Sequence, residues 1–105
     1  MLDNLVLEVR RGVLSLAVLS QLGEEQYGYA LMKKLEARSL VIDQGTLYPL
    51  LRRLEEKGLL QSEWRMGESR PRRYYIISPF GQEVYSDLKE EWAAIVHAVD
   101  GLIKE

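Results

Sequence analysis

Residues 43–58, Asp-Gln-Gly-Thr-Leu-Tyr-Pro-Leu-Leu-Arg-Arg-Leu-Glu-Glu-Lys-Gly, end in a change of period that decides the fold. Up to Lys57 the leucines Leu47, Leu50, Leu51 and Leu54 recur at helical spacing, Asp43 stands where an N-cap belongs, and Gly58 supplies a C-terminal stop. Beyond Gly58 the pattern becomes extended. Leu59, Leu60, Ser62 and Trp64 begin one run, Met66 to Pro71 holds Gly67, Ser69 and Pro71, and Arg73 to Ile77 is aromatic and β-branched. This predicts a helix followed by a hairpin whose loop is too long for a two-residue turn. Pro49 is an irregularity: it has no N–H and its ring crowds the Gly45 carbonyl, so the helix either starts near Tyr48 or bends there.

On the N-terminal side, Leu2, Val6, Val9, Val13, Leu16 and Leu19 predict a helix over 2–22, weakened at Gly12 and stopped by Gly23. A second helix is expected from about Tyr27 to Arg38, with Tyr27, Leu31 and Leu35 inward and Ala30 broadening the stripe. Leu40-Val41-Ile42 is too short for more than one strand-like step. On the C-terminal side, Ser78-Pro79 caps one long helix whose stripe is Phe80, Val84, Leu88, Trp92, Ile95, Val99 and Leu102. The fold class is therefore mostly α with a small β-hairpin. Helix, helix, helix, ribbon is the order of a winged helix-turn-helix, in which the third helix enters the DNA major groove and the ribbon follows the backbone. Residues 1–78 make that unit, and residues 79–105 make a C-terminal dimerisation helix.

At 105 residues, 47% apolar and 29% charged, the chain has room for one folded domain and the composition of a globular one. It has no cysteine and one histidine, His97, which excludes disulfides and thiolate metal sites and leaves little for zinc. No metal or cofactor is expected. No glycine-rich phosphate loop or nucleophile–base set assembles, so an enzyme is the weakest class. Arg10 and Arg11 before the apolar run Val13–Leu19 imitate a signal peptide, yet no small-residue cleavage site follows and the run is far below the ~20 residues of a membrane span. A cytoplasmic protein with no membrane partner is expected.

The net charge is −2, but it is unevenly placed. Between residues 65 and 73 lie Arg65, Arg70, Arg72 and Arg73 against Glu68 alone, a local +3, while residues 78–105 carry two bases and six acids. Guanidinium groups at a loop tip followed by Tyr74 and Tyr75 suit a phosphate clamp; a solvated turn fits the same composition. On the third helix, Gly45, Pro49, Arg52 and Glu56 fall opposite the leucines, with Thr46, Tyr48 and Arg53 on the flanks. Gln44, Thr46 and Tyr48 can then hydrogen-bond base edges, although a plain amphipathic helix with a solvated outer face gives the same wheel. Trp64 is expected to pack in the core of the ribbon, with a ligand contact as the lesser alternative, and His97 at the edge of an interface.

The run Gly45 to Glu55, then Gly58-Leu59, Trp64, Arg70-Pro71-Arg72-Arg73-Tyr74-Tyr75 and Gly81, strongly resembles the PadR family of transcriptional regulators, and Tyr27-Gly28-Tyr29 matches as well. The resemblance covers about residues 11–92. It implies a dimeric winged-helix repressor of a nearby operon, held together by its C-terminal helices and similar to the short branch of the family, with Ser78-Pro79 where many members have a threonine. Matching recognition-helix and wing positions fall on Gln44, Thr46, Tyr48, Arg52, Arg70, Arg72 and Arg73. A helix over 80–103 is about 36 Å long, more than a tri-helical core can cover, so Leu88, Trp92, Ile95, Val99 and Leu102 are expected at a homodimer interface that presents two reading helices to a near-palindromic duplex. Trp92, central in that stripe, either fills the interface or stacks on a small aromatic effector. The competing function is a winged-helix protein-interaction module without DNA binding.

Overall fold

The computed structural model describes residues 2–105, so Met1 of the expected 1–78 unit lies outside it. Helices and strands follow as α1 (Leu2–Gln21), β1 (Gln26–Tyr27), α2 (Gly28–Ala37), α3 (Gln44–Glu56), β2 (Leu60–Met66), β3 (Pro71–Ile77) and α4 (Pro79–Ile103). The winged-helix order is as expected, with one addition: the ribbon gains a third strand. Gln26 and Tyr27 pair antiparallel with Tyr75 and Tyr74, giving the sheet order β1-β3-β2. Tyr27 thus ends a strand and serves as N-cap of α2, where the sequence placed it inside the helix.

The core is a leucine cluster to which each α1–α3 helix contributes one face: Val18 and Leu19 from the end of α1 with Leu22 just beyond it, Leu31 and Leu35 from α2, and Leu47, Leu50, Leu51 and Leu54 from α3. Leu60, Tyr75 and Ile77 close it from the sheet, with Leu59 from the turn before β2. Helix α3 starts at Gln44 and continues unbroken through Pro49 to Glu56, which settles the open question of where it begins. Its far end is stopped by Gly58, whose φ of 82° lets the Leu59 amide turn back to the Leu54 carbonyl at 2.9 Å.

Ser78 ties three elements together. Its hydroxyl donates to the Gly58 carbonyl (2.6 Å) and accepts from the Gly81 amide (2.8 Å), while its own amide donates to the Leu59 carbonyl (3.0 Å). A Cβ at Gly81 would collide with the Leu59 carbonyl, so α4 starts pressed against the end of α3. From this seat α4 first packs Val84, Tyr85 and Leu88 on the core, then runs outward beside α1. The stripe expected on α1 is inward only at its C-terminal end: Leu2, Val6 and Val9 are exposed, with Leu5 beside them, and on α4 Phe80 at the root is exposed as well, as are Trp92, Ile95, Val99 and Leu102 further out. No helix of the described residues is long and apolar enough to cross a membrane.

Candidate nucleic-acid interface

One face of the β2–β3 ribbon runs from core to solvent in three steps. The cross-strand pair Leu60 and Ile77 is buried; next, Ser62 faces Tyr75; towards the tip, Trp64 faces Arg73. The last pair stands free of the core and overhangs α3. Between α3, the start of α2 and this wing lies a groove of about 460 Å³ lined by Tyr27, Tyr29, Gln44, Tyr48, Arg52, Trp64 and Arg70 to Arg73, with Leu51 and Tyr75 among its other lining residues. Four guanidinium groups line it, and no carboxylate does so among the described residues.

Tyr48 reaches the groove because α2 begins with Gly28. A side chain there would drive its Cβ into the Tyr48 ring, so Gly28 serves the close packing of the two helices. Gln44, Tyr48 and Arg52 follow at intervals of four along one flank of α3 and all border the groove. Thr46 does not join them. It lies on the opposite flank, where its hydroxyl donates to Asp43 Oδ1 at 2.8 Å. That bond holds the Asp43 carboxyl below the usual carboxylate range, and Asp43 caps α3 by position without a side-chain bond to the helix backbone.

The four wing arginines have different surroundings. Arg65 sits between Glu25 and Glu63, bonded to both, with its second Glu25 contact at 2.7 Å; these carboxylates raise its pKa further, the Glu25 bond first. This neutralisation allows Arg65 to stand directly opposite Arg72, a like-charge pairing that otherwise opposes strand association. Arg73 is also engaged: Nη2 meets Glu55 Oε1 at 2.7 Å and Nε donates to Ser62 Oγ at 2.9 Å, while Ser62 Oγ donates to Glu55 Oε2 at 2.6 Å. The guanidinium of Arg73 lies 5.8 Å from the Trp64 ring centre and 5.6 Å from that of Tyr75. The expected local +3 is therefore partly cancelled. Arg70 and Arg72 remain without a carboxylate partner among the described residues, Arg72 resting 4.4 Å over the Tyr27 ring.

Trp64 overturns its expectation. It is 65% exposed and belongs to the groove wall, because its strand position is on the core-facing side yet beyond the core's edge. Tyr27, expected on the inward face of the second helix, and Tyr29, to which the sequence assigns no site role, line the same groove. His97 is exposed on α4, far along the chain from these residues.

The match to the PadR-like family of transcriptional regulators spans residues 16–87. The chain belongs to that family. A PadR family transcriptional regulator from Eggerthella lenta is 46% identical, with a TM-score of 0.90 over 97% of this chain and 91% of its own. A PadR-like regulator from Bacillus cereus is 29% identical, with a TM-score of 0.82 over 93% of this chain and 98% of its own. A transcriptional regulator of Mycobacterium tuberculosis is 36% identical over 81 residues, 76% of each chain. This PadR-like chain is thus a winged-helix regulator of a family that binds DNA, and the groove between α3 and the wing is where its sequence-predicted residues other than Thr46 converge.

Proposed function

We propose that the protein is a homodimeric transcriptional repressor in which residues 1–78 bind a near-palindromic duplex and residues 79–105 join the protomers. The observation that carries this reading is the groove: four arginines and no carboxylate among its described lining residues, in a chain of net charge −2. Gln44 and Tyr48 on one flank of α3, and Thr46 on the other, face base edges, while Arg52, Arg70 and Arg72 take phosphates. Arg73 acts by holding the wing to α3. The exposed stripe Trp92, Ile95, Val99 and Leu102 pairs with its symmetry mate beyond the half-buried Leu88.

The test is a salt titration of binding to duplex fragments taken from beside the protein's own gene. Phosphate neutralisation gives a steep linear fall of log K with log salt, at about −0.9 per phosphate. Arg70→Ala with Arg72→Ala flattens that slope on every fragment, whereas Tyr48→Phe changes preference among fragments. Salt-independent or absent binding of the wild type refutes the reading and leaves a protein-interaction module. Release by a small, flat aromatic effector is assigned to Trp92, 44% exposed midway along α4. In a Trp64→Phe background, a compound that quenches Trp92 and weakens DNA binding supports this; if no panel compound does both, Trp92 only fills the interface.

A further inference from the structure

Helix α3 has a second flank. Opposite the wing-side groove it closes against α1 over a separate cleft of about 420 Å³, bordered by Arg53 of α3 and Lys57 at its C-cap and by Arg10 and Arg11 from α1. Among the described residues none of these four cations is ion-paired. Arg10 has a different tie: its guanidinium donates to the Val41 carbonyl, which fixes the basic pair of α1 beside the segment entering α3. The acid bordering the cleft is Asp43, occupied by the Thr46 hydroxyl. Four cations against one acid is a concentration that the core does not require.

A helix with its side chains is about 10–12 Å across, and the major groove is ~12 Å wide, so a helix seated there has a sugar–phosphate ridge along each flank. The wing takes one ridge. We propose that the cleft between α1 and α3 binds the phosphodiester backbone of the other strand, with Arg11, Arg53 and Lys57 as the contacting charges and Arg10 as the positioning residue. This rests on the reading that α3 enters the major groove. Asp43 is compatible with it: it stands at the N-terminal end of α3, about 15 Å along the axis from Arg53, where an acceptor faces base edges and suits a cytosine amine.

The experiment follows binding of the full chain to a fluorescein-labelled 40-base-pair duplex of scrambled sequence between 50 and 200 mM salt, which reads phosphate contacts without knowledge of the operator. The triple variant Arg11→Ala, Arg53→Ala, Lys57→Ala is compared with Arg70→Ala, Arg72→Ala, and folding of each is checked by circular dichroism. A slope flattened by about 1 to 3 in the triple variant, additive with the wing variant and restored by Arg11→Lys with Arg53→Lys, is the expected result. Should the triple variant fold poorly, Lys57→Ala alone is expected to flatten the slope by about 1. An unchanged slope in the cleft variants, with a flattened one in the wing variant, overturns the second clamp and leaves the proposed function standing. An unbound wild type overturns both.

Discussion

Helix α4 spends its apolar residues in two different ways. Apart from Phe80 at its root, which is exposed, its first three turns sink Val84, Tyr85 and Leu88 against a finished core, whereas the later turns leave Trp92, Ile95 and Val99 between 43 and 45% exposed and Leu102 at 67%. Large apolar side chains recur at helical spacing in both parts, so the difference is one of available partner. Within one protomer the leucine cluster can accept only the near end; the far end, together with Leu2, Leu5, Val6 and Val9 of α1, presents apolar surface that water alone does not account for. On the proposed dimeric reading, stability resides in the first region and association in the second.

The largest effect that would separate the two regions comes from the core. Leu47→Ala empties a fully buried site and is expected to cost about 2–5 kcal/mol in urea unfolding. On the arm, Val99→Asp with Leu102→Asp should leave the far-ultraviolet spectrum and the unfolding of the core nearly unchanged while shifting sedimentation from dimer to monomer, a weakening of about a hundredfold or ~2.7 kcal/mol. A dimer that survives this pair would break the comparison.

Within the wing the same contrast recurs at a smaller scale. Arg73→Ala removes the bridge to Glu55 and Ser62, and with about a third of that side chain open to solvent the expected loss is only about 1 kcal/mol in thermal unfolding. Arg72→Ala is expected to leave the melting temperature in place and weaken DNA binding instead. The smallest effect concerns Asp43. Its depressed pKa means that the small stabilisation from Thr46 is present above the unfolded-state value and is lost as pH falls through the folded one. Thr46→Val should move the Asp43 carboxyl midpoint upward in an NMR titration.

What was legible in the sequence was local. Ser78-Pro79 reads as a cap because its partner amide, Gly81, lies three residues on, and Gly58 reads as a stop because the bond it permits closes within five. The strand β1 was not legible: two residues carry no period, and their pairing to Tyr74 and Tyr75 spans nearly fifty residues of chain. The candidate site divides along the same line. Helical-wheel arithmetic put Tyr48 and Thr46 on the flanks of α3, but which flank meets the wing depends on tertiary placement, so Thr46 was grouped with residues it does not join. Arg73 counted as free charge because Glu55, its partner, belongs to another element, and Trp64 counted as core because alternation says which side of a strand a residue takes and not where the core stops.

The Ser78 junction also makes α4 a lever. With its amide and hydroxyl fastened to the segment that ends α3, and with Gly81 admitting no slack against Leu59, rotation of α4 cannot be absorbed at its root. The arm is about 37 Å long, so a tilt of ~5° sweeps its tip through ~3 Å. Conversely, a shift of that size at the far end obliges the whole leucine-centred unit to swing. Two such units joined at their arms would change the distance between their reading helices through small adjustments made far from any DNA.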